Sequence, residues 1–353
     1  MTFLSRFSFA LTGLCFFLAT SVTADAALVK REPDFIENWP LYKRYNAIIE
    51  DIGGFDVPAV PGVTVAQFDK DTGTLKWTCH TLVLGDVVTK FTSIIQKASL
   101  DPYADPTVIT KRSSSEKTQV LYGARLQQSI DNENVLPVID YVITEGDATT
   151  VPPTRAFGWS IMPYVSEGSL ETNFGAYSDQ NSVNTAFKQI LNAVAAVSAA
   201  GIIHRDLKPE NFLKDGDTLK LMDFDQSLET ATSMQYDVGT ASYIAPEIIA
   251  MKTETGFEYD TKVDTFSTAM TFMVLSVSEV QDSTTRFQLW KDVIEPDGAL
   301  WPSAEKIADV LRNRNYPVFT DNDSLLTVLS KALCKSSERY TPQEFQSAFN
   351  AVV

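Results

Sequence analysis

Asp206, Lys208, Asn211 and Asp223 stand close together in the chain. Two carboxylates and an amide are oxygen donors, the ligands that a hard cation such as Mg²⁺ takes, and the lysine adds a positive charge to the same neighbourhood. The 353 residues contain only two histidines, His80 and His204, so a histidine-based metal site is disfavoured and any metal is to be held by oxygen. Taken singly, each of these residues reads as part of a surface turn. Together they follow a helix of apolar spacing, Phe187 to Ala200, ended by Gly201, and they lie beside a run of short strands. That setting makes them one site.

The stretch Gly201 to Leu213, which includes His204-Arg205-Asp206-Leu207-Lys208-Pro209-Glu210-Asn211, is followed by Leu221-Met222-Asp223-Phe224-Asp225. The two segments resemble the H-R-D-L-x-x-x-N catalytic loop and the metal-binding segment of eukaryotic-type protein kinases, on the Ser/Thr side because of Lys208-Pro209-Glu210. The resemblance implies an α+β, bilobal fold with a small β-rich N-lobe and a larger, mostly helical C-lobe. It implies ATP and Mg²⁺ (or Mn²⁺) as cofactors and a protein as substrate. Phosphoryl transfer needs the phosphates and the hydroxyl held in line while charge is neutralised. By resemblance, Asp206 orients the substrate hydroxyl, Lys208 contacts the transferred phosphate, and Asn211 and Asp223 bind the metal. Thr240, in Gly239-Thr240-Ala241, touches the catalytic acid and lysine. Met162 and Tyr164, in Met162-Pro163-Tyr164-Val165, resemble the hinge whose backbone meets the adenine edge.

The resemblance extends to an activation segment from Asp223 to Glu247, ending in Ala245-Pro246-Glu247. Arg205 is expected to pair with a phosphate on Thr230, Thr232, Ser233 or Tyr236. Asp264 is expected to brace the catalytic loop, and Arg339 to pair with Glu247. Asp225 stands where the family usually has glycine, and its expected effect is on backbone freedom.

The first half of the chain departs further from the family. Strands are expected at Tyr45 to Ile52, Val63 to Phe68 and Thr74 to Val83, with an inserted helix over residues 86–99. No G-x-G-x-x-G is present to cover the phosphates; the nearest glycines are Gly53-Gly54, Gly62 and Gly73. The phosphate-binding lysine has two registers. If Thr72-Gly73 is the turn before its strand, the position falls near Cys79 and is empty, with Lys76 on the other face. If Val108-Ile109-Thr110-Lys111 is the V-A-I-K equivalent, the lysine is Lys111, which suits the spacing to Asp206 better. A helix is expected from Ser113, with Glu116 at capping-box spacing, to about Ile130. The glutamate that should pair with the lysine falls near Gly123, where there is no acid.

A net charge of −16 and a pI near 4.6 argue against a nucleic-acid partner and for a basic or neutral one. Arg6, the apolar run Phe7 to Ala19 and Ala24-Asp25-Ala26 have the layout of a signal peptide over residues 1–26. The chain is therefore expected to be secreted or in the secretory pathway, with no membrane contact after cleavage. A lead-in covers 27–44, with a dibasic Lys30-Arg31, the N-lobe 45–165 and the C-lobe 166–353. Asn322-Asp323-Ser324 is a glycosylation sequon. Cys79 and Cys334 fall in different lobes and are not expected to bridge. The rival to an active Ser/Thr kinase is a secreted pseudokinase that acts as a binding module, and the degenerate glycine turn and missing helix acid motivate it.

Overall fold

The computed structural model of the chain describes residues 63–78, 80–90, 93–99, 105–113, 119–144, 157–251, 258–295, 302–320 and 322–353. In the first part, apolar side chains alternate with polar ones, and the apolar side of each strand closes inward. The strands β1 (Thr64–Asp69), β2 (Thr74–Trp77), β3 (His80–Lys90), β4 (Ser93–Ser99), β5 (Val108–Ser113), β6 (Asp140–Thr144) and β7 (Phe157–Pro163) make a closed barrel in the order β1-β2-β3-β4-β5-β7-β6. β1 runs parallel to β6 and closes the ring. Leu75, Leu82, Val142, Trp159 and Ile161 fill it, and the indole of Trp77 donates to Asp140 across 2.6 Å.

Residues 86–99 are not a helix: they form most of the β3–β4 hairpin, with Ile95 opposite Lys111 on β5. β-branched Val87, Val88, Ile94 and Ile95 favour a pleated surface, and pairing on the barrel decides the matter. The strand expected over 74–83 is broken at Thr78, whose φ is +47°. The next helix, α1 (Gln119–Gln128), begins later than expected, because Ser113 is still the last residue of β5. Glu116, Cys79, the strand expected at 45–52 and the signal-peptide segment lie outside the described residues.

The second lobe is built around two buried helices. α2 (Gln180–Ala199) starts at a capping box, in which Asp179 accepts from the backbone of Asn181 and Ser182 and the Ser182 hydroxyl closes the pair. Short strands follow: β8 (Ile202–Ile203), β9 (Phe212–Asp215), β10 (Thr218–Leu221) and β11 (Leu228–Glu229). After α3 (Pro246–Ala250) comes α4 (Lys262–Ser276), buried from Val263 to Leu275. Its apolar run is core, and among the described residues no helix is long and apolar enough to cross a membrane. The lobe is completed by α5 (Ser283–Ile294), α6 (Ala304–Asn313), α7 (Pro317–Thr320), α8 (Asp323–Leu333) and α9 (Pro342–Asn350). Phe187 of α2 meets Phe272 of α4 and Phe349 of α9 edge-on at 4.7 and 4.8 Å. The sequon residue Asn322 caps α8, its oxygen accepting from the Leu325 N–H.

The lobes are joined by backbone. The Leu221 N–H donates to the Asn134 carbonyl and the Leu136 N–H to the Leu221 carbonyl, each at 2.8 Å. Deeper in the helical lobe, Arg339 makes a two-pronged ion pair with Glu247 at the start of α3, at 2.5 and 3.1 Å. Both side chains are buried. Arg339→Ala leaves a buried, unpaired carboxylate, and the expected loss of unfolding free energy is about 3–5 kcal/mol. Denaturant titration of the two proteins checks this.

Candidate active site

α2 ends at Gly201, whose φ of +73° lets the chain leave the helix, and β8 carries it to the loop at His204. There Asp264 of α4 holds the backbone. Its two oxygens accept the N–H groups of His204 and Arg205 at 2.7 and 2.8 Å, and Arg205 is held at φ +70°. A buried carboxylate needs such donors, and a strained loop needs such an anchor. The brace expected of Asp264 is present.

Beyond the anchor, Asp206, Lys208, Asn211 and Thr240 come together as one network. The Thr240 hydroxyl donates to one oxygen of Asp206 at 2.5 Å, and the Lys208 ammonium donates to the other at 2.9 Å. Lys208 also donates to Thr240 at 2.7 Å. The Asn211 amide nitrogen donates to the Asp206 carbonyl at 2.7 Å, which leaves its oxygen as the ligand atom.

Lys111 enters from the other lobe. It lies on β5 between Ile95 and Ser160, only 7% exposed, whereas Lys76 is exposed on β2. Its ammonium is 2.7 Å from Asp223 and 2.8 Å from Asp225. Burial opposes the charge, but Asp223 and then Asp225 outweigh it and hold the lysine above its ordinary pKa. Asp223 is half-buried, and although desolvation opposes its charge, Lys111 keeps it below the usual carboxylate range. Asp223 itself carries the positive φ, +66°, while Asp225 does not, so glycine's freedom is not used at position 225. What Asp225 contributes is its side chain.

The helix position expected to hold an acid has no room for one. A Cβ on Gly123 of α1 would lie 2.7 Å from the backbone of Phe224. The glycines near the phosphate-covering turn also fall elsewhere. Gly73, at φ +63°, is in the β1–β2 turn, and Gly53, Gly54 and Gly62 lie outside the described residues. β3 and β4 precede the Lys111 strand, and the sequence has no glycine between Gly85 and Gly123.

One further expectation changes. Tyr164 was expected to offer its backbone to adenine, but its N–H is donated to the Thr107 carbonyl at 3.0 Å. Met162 is on β7 opposite Ile109, its side chain packed with Ala124, Leu136, Val138 and Leu213. Arg205 is held by protein groups: the Gln226 carbonyl at 2.5 Å, Gln235 at 2.8 Å and the Tyr259 hydroxyl at 3.2 Å. Sequence reasoning missed Gln235 and Tyr259, for which no motif exists. Asp225 was visible as a departure, but its role was not.

The donor set suits the cofactors. Asp223 and Asn211 supply oxygen, and Mg²⁺ is commonly held by one or two protein groups plus substrate phosphates. Among the described residues no cluster of three or more His, Cys, Asp and Glu is arranged to hold a metal by itself.

A family model described as "Protein kinase domain" matches residues 88–348. The chain belongs to the protein kinase family. Curated kinases are similar over parts of it. A probable cell division protein kinase of Encephalitozoon cuniculi is 25% identical over 233 residues, 61% of this chain and 70% of that protein. Probable serine/threonine-protein kinase 2 of Plasmodium falciparum is 30% identical over 172 residues, 42% of this chain and 32% of that protein. A serine/threonine-protein kinase of Arabidopsis thaliana is 37% identical over 126 residues, 33% of each chain. The kinase match begins at residue 88, so β1 and β2 precede it. The barrel has an extra strand, and β1 closes it by pairing with β6.

His204 gives the site a pH dependence. Burial lowers its pKa from 6.5 to about 4, against the pull of Asp206 and Asp223, and its ring packs edge-on to Phe224 at 4.6 Å. The unfolded chain takes up the proton near 6.5 and the folded one near 4. Stability is therefore lost as pH falls through that window and levels off below it. His204→Phe is expected to flatten this part of the curve, as measured by denaturation midpoints against pH. An equally steep decline in the variant would contradict the assignment.

Proposed function

We propose that the chain is a Ser/Thr protein kinase that transfers the γ-phosphate of ATP to protein hydroxyls with Mg²⁺ or Mn²⁺. The observation that carries this reading is the network of buried Asp206, Lys208 and Asn211 with half-buried Thr240, beside which Asp223 pairs with Lys111 from the barrel.

In this reading Asp206 orients the hydroxyl and takes its proton. Thr240 and Lys208 fix the two carboxylate oxygens, so the rotamer is set before substrate arrives. Lys208 then offers positive charge to the transferred group. Asn211 and Asp223 hold the metal, which neutralises phosphate charge when bound. Lys111 reaches the α- and β-phosphates. Because the Tyr164 N–H is spent on Thr107, alternation along the strand turns the Pro163 carbonyl and the Val165 N–H the other way, and these meet the adenine edge.

The pseudokinase reading is favoured by the absence of glycine between Gly85 and Gly123 and of an acid at position 123, and it predicts no phosphotransfer. Export is a separate proposal and rests on the N-terminal sequence: Arg6, the apolar run and Ala24-Asp25-Ala26.

Incubation with labelled ATP and a panel of proteins tests the kinase reading. The wild-type chain is expected to label Ser and Thr, and Asp206→Asn to lose about a hundredfold or more of that rate. Equal labelling by the two proteins would refute it.

A further inference from the structure

The acid that should pair with the buried lysine is absent from α1, yet the lysine is not without charge partners. Asp225 reaches the Lys111 ammonium at 2.8 Å, nearly as close as Asp223 at 2.7 Å. The two acids flank Phe224, which is fully buried and packs on His204. α1 approaches the segment so closely that a Cβ at Gly123 would meet the Phe224 carbonyl at 2.7 Å and the Asp225 nitrogen at 2.9 Å. An acid at position 123 therefore cannot coexist with this packing. Gly123 and Asp225 thus sit against each other: the helix carries no side chain where the segment packs on it, and the segment carries the carboxylate that reaches Lys111.

We propose that Asp225 is the positioning residue for Lys111, taking over from the missing helix acid the task of holding the ammonium in the cleft. Asp223 cannot serve both ends. Under the kinase reading, on which this inference rests, Asp223 is committed to the metal, and a lysine paired with it alone would compete for that oxygen. A second acid leaves Lys111 anchored while Asp223 coordinates. The arrangement also removes the need for α1 to carry charge into the cleft, so small shifts of that helix would not unpair the lysine.

The test begins with nucleotide-free protein. Thermal unfolding is measured for the wild type, Lys111→Met, Asp225→Asn and the double variant. Asp225→Asn is expected to lower the midpoint of the wild type, where it removes a partner. In the Lys111→Met background it is expected to raise the midpoint, because it relieves two facing carboxylates. Additive, same-sign shifts would overturn the proposal, and this arm reads the pair whether or not the chain transfers phosphate.

The second arm is kinetic. Asp225→Asn is expected to lower kcat about tenfold or more with the KM for the protein substrate unchanged, and Asp225→Glu to recover most of the loss. A merely structural aspartate would show neither the split nor the rescue, and unchanged kcat in Asp225→Asn would overturn the positioning role. A wild type that transfers no phosphate but shows the inverted midpoint shift would sink the kinase reading and support the ion pair.

Discussion

A lysine buried between two lobes must meet negative charge, or it would shed its proton or remain in water. Lys111 meets Asp223 and Asp225, and much of the structure follows from that contact. β5 presents the lysine inward because its neighbours β4 and β7 fix the register. Asp223 accepts a left-handed backbone to turn its carboxylate toward it. α1 can lie directly on the segment because Gly123 has no side chain. The barrel and the helical lobe are thereby tied through a charge pair.

The helical lobe applies the same rule to its other buried charges. Asp264 is satisfied by two backbone N–H groups, Glu247 by Arg339, and Asp206 by Lys208 and Thr240. Each pairing fixes a rotamer or a loop in advance. For a reaction whose catalysis is mostly positioning and charge neutralisation, that preorganisation is the main contribution a protein makes. Arg205 extends the rule to the activation segment, where Gln235, the Gln226 carbonyl and Tyr259 hold its guanidinium with neutral groups.

The helical lobe was legible because its chemistry is written in short contiguous runs. Asp206, Lys208 and Asn211 are local in sequence, and Glu247, Asp264 and Arg339 follow in order. The barrel was harder. β4 pairs with β3 on one side and β5 on the other, and the apolar pattern of Ile94 and Ile95 suits a helix or a buried strand until the pairing is known. The Tyr164 N–H is lost to Thr107, a bond made across strands that no local motif records. Asp225 is the clearest case. The sequence shows an aspartate in place of a glycine, but its meaning depends on Lys111 in another lobe and on Gly123 in a third element, and only packing brings the three together.

In the proposed reading these groups form a working nucleotide site although no glycine lies between Gly85 and Gly123. Calorimetric titration of the purified chain with ATP, with and without Mg²⁺, tests it most directly. Saturable binding of one nucleotide per chain is predicted, strengthened by Mg²⁺ and lost in Lys111→Met. Absence of binding in the folded wild type, or binding that Lys111→Met leaves intact, would contradict it.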